Sequence, residues 1–184
     1  ASEEALVAWV SFWLCLHDLG KFSEAFQGQS ARVFESLRGR PPRKEYNERH
    51  DTLGRVAWTK LVEQTALDEA WLGPQTADHL PGLNAWVRAV TGHHGQPPKF
   101  DNIHFGHHFD ETHDSAAIVA FVRDAKALVL GNAQPLLPTA LDADDFCDAS
   151  ERLSWWIAGL SVLADWIGSN TDYFAYRDQP AADG

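Results

Sequence analysis

The sequence predicts an all-α protein. Apolar residues recur at spacings of three and four along most of the chain, alternating β-branched runs are scarce, and glycine and proline punctuate the periodic segments. Ser2 with Glu3 and Glu4 starts a first helix through LVAWVSFWLCLHD that breaks near Gly20. A short helix is predicted over Ser23 to Gln27. The stretch RGRPPRKEYNERH carries Arg38, Arg40, Arg43, Lys44 and Arg49, and its Pro-Pro makes it a loop, read as solvated rather than phosphate-binding. Asp51 to Gln64 is helical, Gly73 and Pro74 interrupt, and Leu83 to Thr91 is helical up to Gly92. Asp110 to Leu130 forms a long helix stopped by Gly131, and Pro135 and Pro138 mark a linker. In the last helix Trp156, Leu160, Leu163 and Ile167 follow i, i+4, i+7, i+11 and are predicted to be a core stripe. Ser161, Asp165 and Ser169 share another face, predicted to line a site.

The chain has 184 residues, 45% of them hydrophobic, and eight tryptophans, enough for one sizeable core and a single domain spanning 1–184. It begins at Ala1 and contains no methionine, which predicts a piece excised from a longer chain and truncated at its N-terminus. The longest apolar run, Ala5 to Leu16, is too short to cross a bilayer, so no membrane association is expected. Cys15 and Cys147 lie far apart without CxxC spacing, which argues against a disulfide framework or zinc ribbon and fits a reducing cytoplasm. The net charge of −11 opposes tight binding of nucleic acid by charge alone, because phosphate contacts need Lys and Arg to release counterions.

Chemistry begins at Cys15-Leu16-His17-Asp18-Leu19-Gly20-Lys21. An adjacent His and Asp reach one site only where the backbone leaves regular helix, and Gly20 supplies a break. Imidazole nitrogen and carboxylate oxygen together suit first-row transition metals, and a carboxylate can bridge two ions. The HDLGK motif resembles the signature of the HD superfamily of metal-dependent phosphohydrolases. Taken in order, HDLGKFSEAFQ, RHDTLGRVAW, GHHGQPP and ADWIGSN are similar to the HD nuclease domain of CRISPR-associated type I effector helicase-nucleases, a likeness that spans His17 to Asn170.

That resemblance implies an HD-domain helical bundle with a metal site at its centre. It implies two divalent transition-metal ions bridged by Asp18. His17 and Asp165 would hold one; His50, His93 and His94 would hold the other with Asp18. Lys21 would neutralise the scissile phosphate. The ligand set mixes His with carboxylate and needs open positions, which favours Mn, Co, Ni or Fe. The family pattern opens with an upstream histidine that the first sixteen residues here do not contain. The first metal position is therefore one ligand short, and only the histidine-rich second position is expected to be reliably occupied.

The implied activity is endonucleolytic and exonucleolytic cleavage of single-stranded DNA in CRISPR interference, an antiviral defence. A helicase in cis or in trans would feed the strand, the Cascade surveillance complex would recruit the enzyme, and an inhibitor protein is a further possible partner. Bound cations and a helicase answer the charge objection. Two alternatives stand beside it: a nucleotide or cyclic-dinucleotide phosphohydrolase, and a catalytically degenerate HD docking module. A second histidine group, His104, His107, His108 and His113 in IHFGHHFDETH, matches none of the family motifs. It is predicted not to bind metal, and Asp110 and Glu111 are read as acids at a helix N-terminus.

Overall fold

The computed structural model describes residues 3–95, 103–131 and 142–174, and within them the chain consists of helices joined by turns and loops, with one short extended stretch, Trp71–Pro74. Helix α1, Glu3–Cys15, turns its Trp9, Phe12 and Trp13 inward. They meet Trp86 of α6 (Thr76–Thr91), Trp58 and Trp71 in tilted and edge-on ring contacts, with centroids 5.4 to 6.5 Å apart. Removing one such ring from a packed core costs about 3–5 kcal/mol. Among the described residues no helix is long and apolar enough to cross a membrane.

Helix α1 ends at Cys15, earlier than the predicted break at Gly20, and the chain tightens through i to i−3 hydrogen bonds into a 3-10 turn, Leu19–Phe22. His17 and Asp18 lie in that tightened segment. Helix α2, Glu24–Gln27, follows as expected, with the Ser23 hydroxyl accepting from the Phe26 amide. Helix α3, Ala31–Arg38, was not foreseen; it ends on Gly39 at φ +66°, a left-handed closure that glycine adopts without strain.

The basic segment is a loop, but not a freely solvated one. Arg38 pairs with Asp114, Arg40 with both Glu24 and Asp110, and Arg49 with Asp51. The Arg38 and Arg40 guanidiniums tie the loop to α2 and to the start of α8 (His113–Leu130), and Arg49 ties its end to the helix that begins at His50, so three of the segment's five cations are engaged by carboxylates.

Helix α4, His50–Ala57, continues through a π-helical turn, Trp58–Val62, into α5, Glu63–Asp68. Helix α6 starts seven residues before the expected Leu83 and carries Pro81 inside it. Ala77, whose carbonyl loses its partner there, is exposed and open to water. A short helix α7, Phe105–His108, precedes α8, where Asp110 accepts from the amides of Thr112 and His113 as an N-terminal acid should. Pro135 and Pro138 lie outside the described residues.

Helix α9, Ala143–Gly168, overturns the predicted core stripe. Trp156, Leu160, Leu163 and Ile167 are exposed, Trp156 to 75%. The buried line is instead Phe146, Ser150, Ile157 and Ser161. Helix α6 comes so near that a Cβ on Gly82 would sit 2.5 Å from the Phe146 ring. At such an approach small and hydrogen-bonding residues pack where leucines would not, and the Ser161 hydroxyl donates to the Val90 carbonyl at 3.1 Å. The polar stripe therefore faces inward at Ser161 and Asp165, while Ser169 is exposed.

Candidate metal centre

Two glycines set the site's position. A Cβ on Gly20 would fall 1.8 Å from the His50 carbonyl oxygen and 2.6 Å from the Gly54 nitrogen. The 3-10 turn thus lies directly on the backbone of α4, with Gly54 facing back at 3.3 Å. Gly20 has no positive φ; the sequence reading of it as a helix break is replaced by close backbone approach. Its consequence is that His17 and Asp18 stand beside His50.

Each of three histidines is then oriented by one ring nitrogen. Nδ1 of His17 lies 2.7 Å from the Leu14 carbonyl, Nδ1 of His93 lies 3.1 Å from the Val90 carbonyl, and Nδ1 of His50 lies 3.4 Å from the Tyr46 hydroxyl. Carbonyl acceptors place the proton on Nδ1 of His17 and His93 and leave Nε2 as the lone-pair atom. All three Nε2 atoms turn toward Asp18. Metal-binding histidines are held in this way, by an outer partner on the second nitrogen.

The Asp18 carboxylate divides the cluster. Its Oδ2 lies 3.1 Å from His17 Nε2 and 2.6 Å from Lys21 Nζ. Its Oδ1 lies 3.4 Å from His50 Nε2 and 3.8 Å from His93 Nε2. On the first side Asp165 approaches His17 Nε2 to 3.8 Å; on the second, His94 Nε2 is 3.1 Å from His50 Nε2. Among the described residues two groups bring their ligand atoms within 4.8 Å of one another: His17, Asp18 and Asp165, and His50, His93 and His94.

The fit to a cation rests on orphaned atoms. Asp18 Oδ1 and His93 Nε2 are buried with no hydrogen-bond partner, and the His93 side chain is fully enclosed. A buried, unpartnered acceptor beside a buried imidazole lone pair is costly unless something bridges them. Charge separates the two sides. Burial works against a charged His17, but Asp18, the Leu14 carbonyl and Asp165 outweigh it and raise its pKa. Burial pushes His50 down to about 4 and lowers His93 as well, which keeps both rings neutral and able to donate a lone pair. Burial would raise the Asp18 carboxyl, yet His17 and Lys21 hold it well below the usual carboxylate range.

The predicted residues His17, Asp18, Lys21, His50, His93, His94 and Asp165 thus converge from four separate segments of the chain. His104, His107, His108 and His113 belong to neither ligand group. Sequence reading missed Tyr46, Gly54 and the two carbonyls. Gly54 had a signal, the repeated Leu-Gly after each His-Asp; the carbonyls had none.

An all-α bundle that gathers a His-Asp pair and distant histidines around one carboxylate is an HD domain, a class that depends on metal. Residues 1–174 match the family described as Cas3, HD domain, and the chain belongs to that family. It is similar to the "CRISPR-associated endonuclease/helicase Cas3" of Escherichia coli (strain K12), with 28% identity over 209 residues covering 99% of this chain and 22% of that protein. The chain therefore spans about a fifth of the length of this curated relative. No solved structure matches it.

Proposed function

We propose that the chain is a metal-dependent nuclease that cuts single-stranded DNA in CRISPR interference, fed by a helicase and recruited through Cascade. The observation that carries this reading is the split of Asp18, whose two oxygens face two different ligand groups. His50, His93 and His94 with Asp18 Oδ1 would hold one divalent ion; His17, Asp165 and Asp18 Oδ2 would hold another. When bound, such a pair activates water and stabilises the leaving oxygen of a phosphodiester. The protein's own part is positional. The outer partners of His17, His50 and His93 fix the ring planes, so little reorganisation accompanies binding. Lys21 sits at the rim, 39% exposed, with its ammonium on Asp18. With that carboxylate engaged as a ligand, the Lys21 ammonium would be free to meet a scissile phosphate as a point charge. Family membership supports the reading, and the name of the Escherichia coli relative agrees with it.

Metal content and cleavage of circular single-stranded DNA, which has no ends, test the proposal together. Cleavage with added Mn or Ni, lost in Asp18→Ala, is the expected result. Hydrolysis of dGTP or a cyclic dinucleotide with DNA left intact would replace it by the phosphohydrolase reading.

A further inference from the structure

A groove of about 540 Å³ runs between α6 and α9 and ends at the turn that carries His93 and His94. Its floor is small: Ala89, Ala158 and Gly159, the last with no atom within 4 Å of where a Cβ would stand. Its rim holds Arg88 and Trp155. Arg88 is exposed and, among the described residues, takes part in no ion pair, unlike Arg38, Arg40, Arg49 and Arg123. Trp155 is 83% exposed. At the inner end Gly95 and Val162 line the groove. Val162 is three residues before Asp165 and Ala158 seven, so both share the side of α9 that holds Asp165. Glu151, one turn before Trp155, marks the end remote from the candidate centre.

We propose that this groove binds the single strand leading to the metal centre, with Trp155 as a stacking platform for a base and Arg88 as a phosphate contact. The proposal rests on the nuclease reading above and adds the path to it. Trp155 stands ten residues from Asp165, about 15 Å along the helix axis, so it would grip the strand away from the scissile bond. The small-residue floor of Ala89, Ala158 and Gly159 admits a base edge, and Arg88 is the cation that the groove's lining offers to a phosphate. Trp166, eleven residues and three turns from Trp155, is 76% exposed on the same face and offers a second platform beside Asp165.

The test uses the 184-residue chain with Mn and two substrates: single-stranded DNA, and bis(p-nitrophenyl) phosphate, a diester too small to reach Trp155. Trp155→Ala and Arg88→Ala should each raise KM for DNA roughly tenfold and leave hydrolysis of the small diester unchanged, while Trp155→Phe should recover most of the DNA affinity. Unchanged KM in both variants overturns the proposal and leaves the face to a protein partner. A parallel loss on the small diester also overturns it, since the residues would then act on the centre itself. Metal-free binding of a labelled oligothymidylate, weakened by the same variants, decides the groove even if the wild-type chain turns over neither substrate, an outcome that would sink the nuclease reading alone.

Discussion

Gly92-His93-His94 and Gly106-His107-His108 are the same tripeptide fourteen residues apart, and they end in opposite circumstances. In the first, His93 is buried with Nε2 unpartnered toward Asp18, while His94 is exposed and reaches His50. In the second, His108 is buried within the charge field of Glu48 and Lys44, on the same side as the loop whose Lys44 ammonium donates to the Gly106 carbonyl. His107 is exposed and its nearest ring neighbour is His104, 5.2 Å away between centroids. The difference lies in what other segments bring. A carboxylate and a third histidine arrive at the first pair because Gly20 lets the 3-10 turn sit on α4; nothing comparable arrives at the second.

The comparison can be broken at its centre. Asp18→Ala removes the one group that touches both ligand sets, so cleavage should fall to background and bound metal, measured by elemental analysis, should drop at both positions. If the variant keeps full metal content and activity, the convergence on Asp18 is incidental. Next in size, His94→Ala and His108→Ala should dissociate. The exposed His94 is expected to lose metal affinity and cleavage with Tm of the metal-free protein unchanged. The buried His108 should keep both and lose about 2–8 °C in Tm, from about 1–2 kcal/mol of lost packing. Equal behaviour of the two in metal titration would erase the distinction.

Gly20→Ala tests the cause of the convergence. A methyl 1.8 Å from a backbone oxygen cannot be accommodated without shifting the turn, so the variant should lose about 1–3 kcal/mol or more of stability and bind metal more weakly in calorimetric titration. A stable Gly20→Ala with wild-type affinity would show that the close approach does not position His17 and Asp18. The smallest effect belongs to Tyr46→Phe, which strips the hydroxyl from His50 Nδ1. It should cost metal affinity about tenfold, with Tm nearly constant.

The helical class, helix α2, the ends of α6 and α8, and the set of side chains that gathers around Asp18 were readable before the fold was known. Helix α8 began three residues later than expected, with Thr112 at its N-cap and the Asp110 carboxylate, ahead of the helix, accepting from the Thr112 and His113 amides. The inverted face of α9 was not readable. Hydrophobic periodicity reports which side of a helix is apolar, and the usual inference that this side is buried fails where a neighbouring helix approaches on glycine and serine. Five tryptophans, Trp9, Trp13, Trp58, Trp71 and Trp86, build the core while Trp155, Trp156 and Trp166 face outward, and composition counts all eight alike.

The sequence by itself determined which candidate donors for a cation this protein carries, because the capacity to coordinate is a property of residue type, and HDLGK marks where His17 and Asp18 leave the helix. Only the tertiary structure decided which atoms of those donors meet. The grouping of Asp18 with His50, His93 and Asp165 spans up to 147 residues of chain. It depends on van der Waals contact between Gly20 and α4 and between Gly82 and α9, distances that no local pattern encodes.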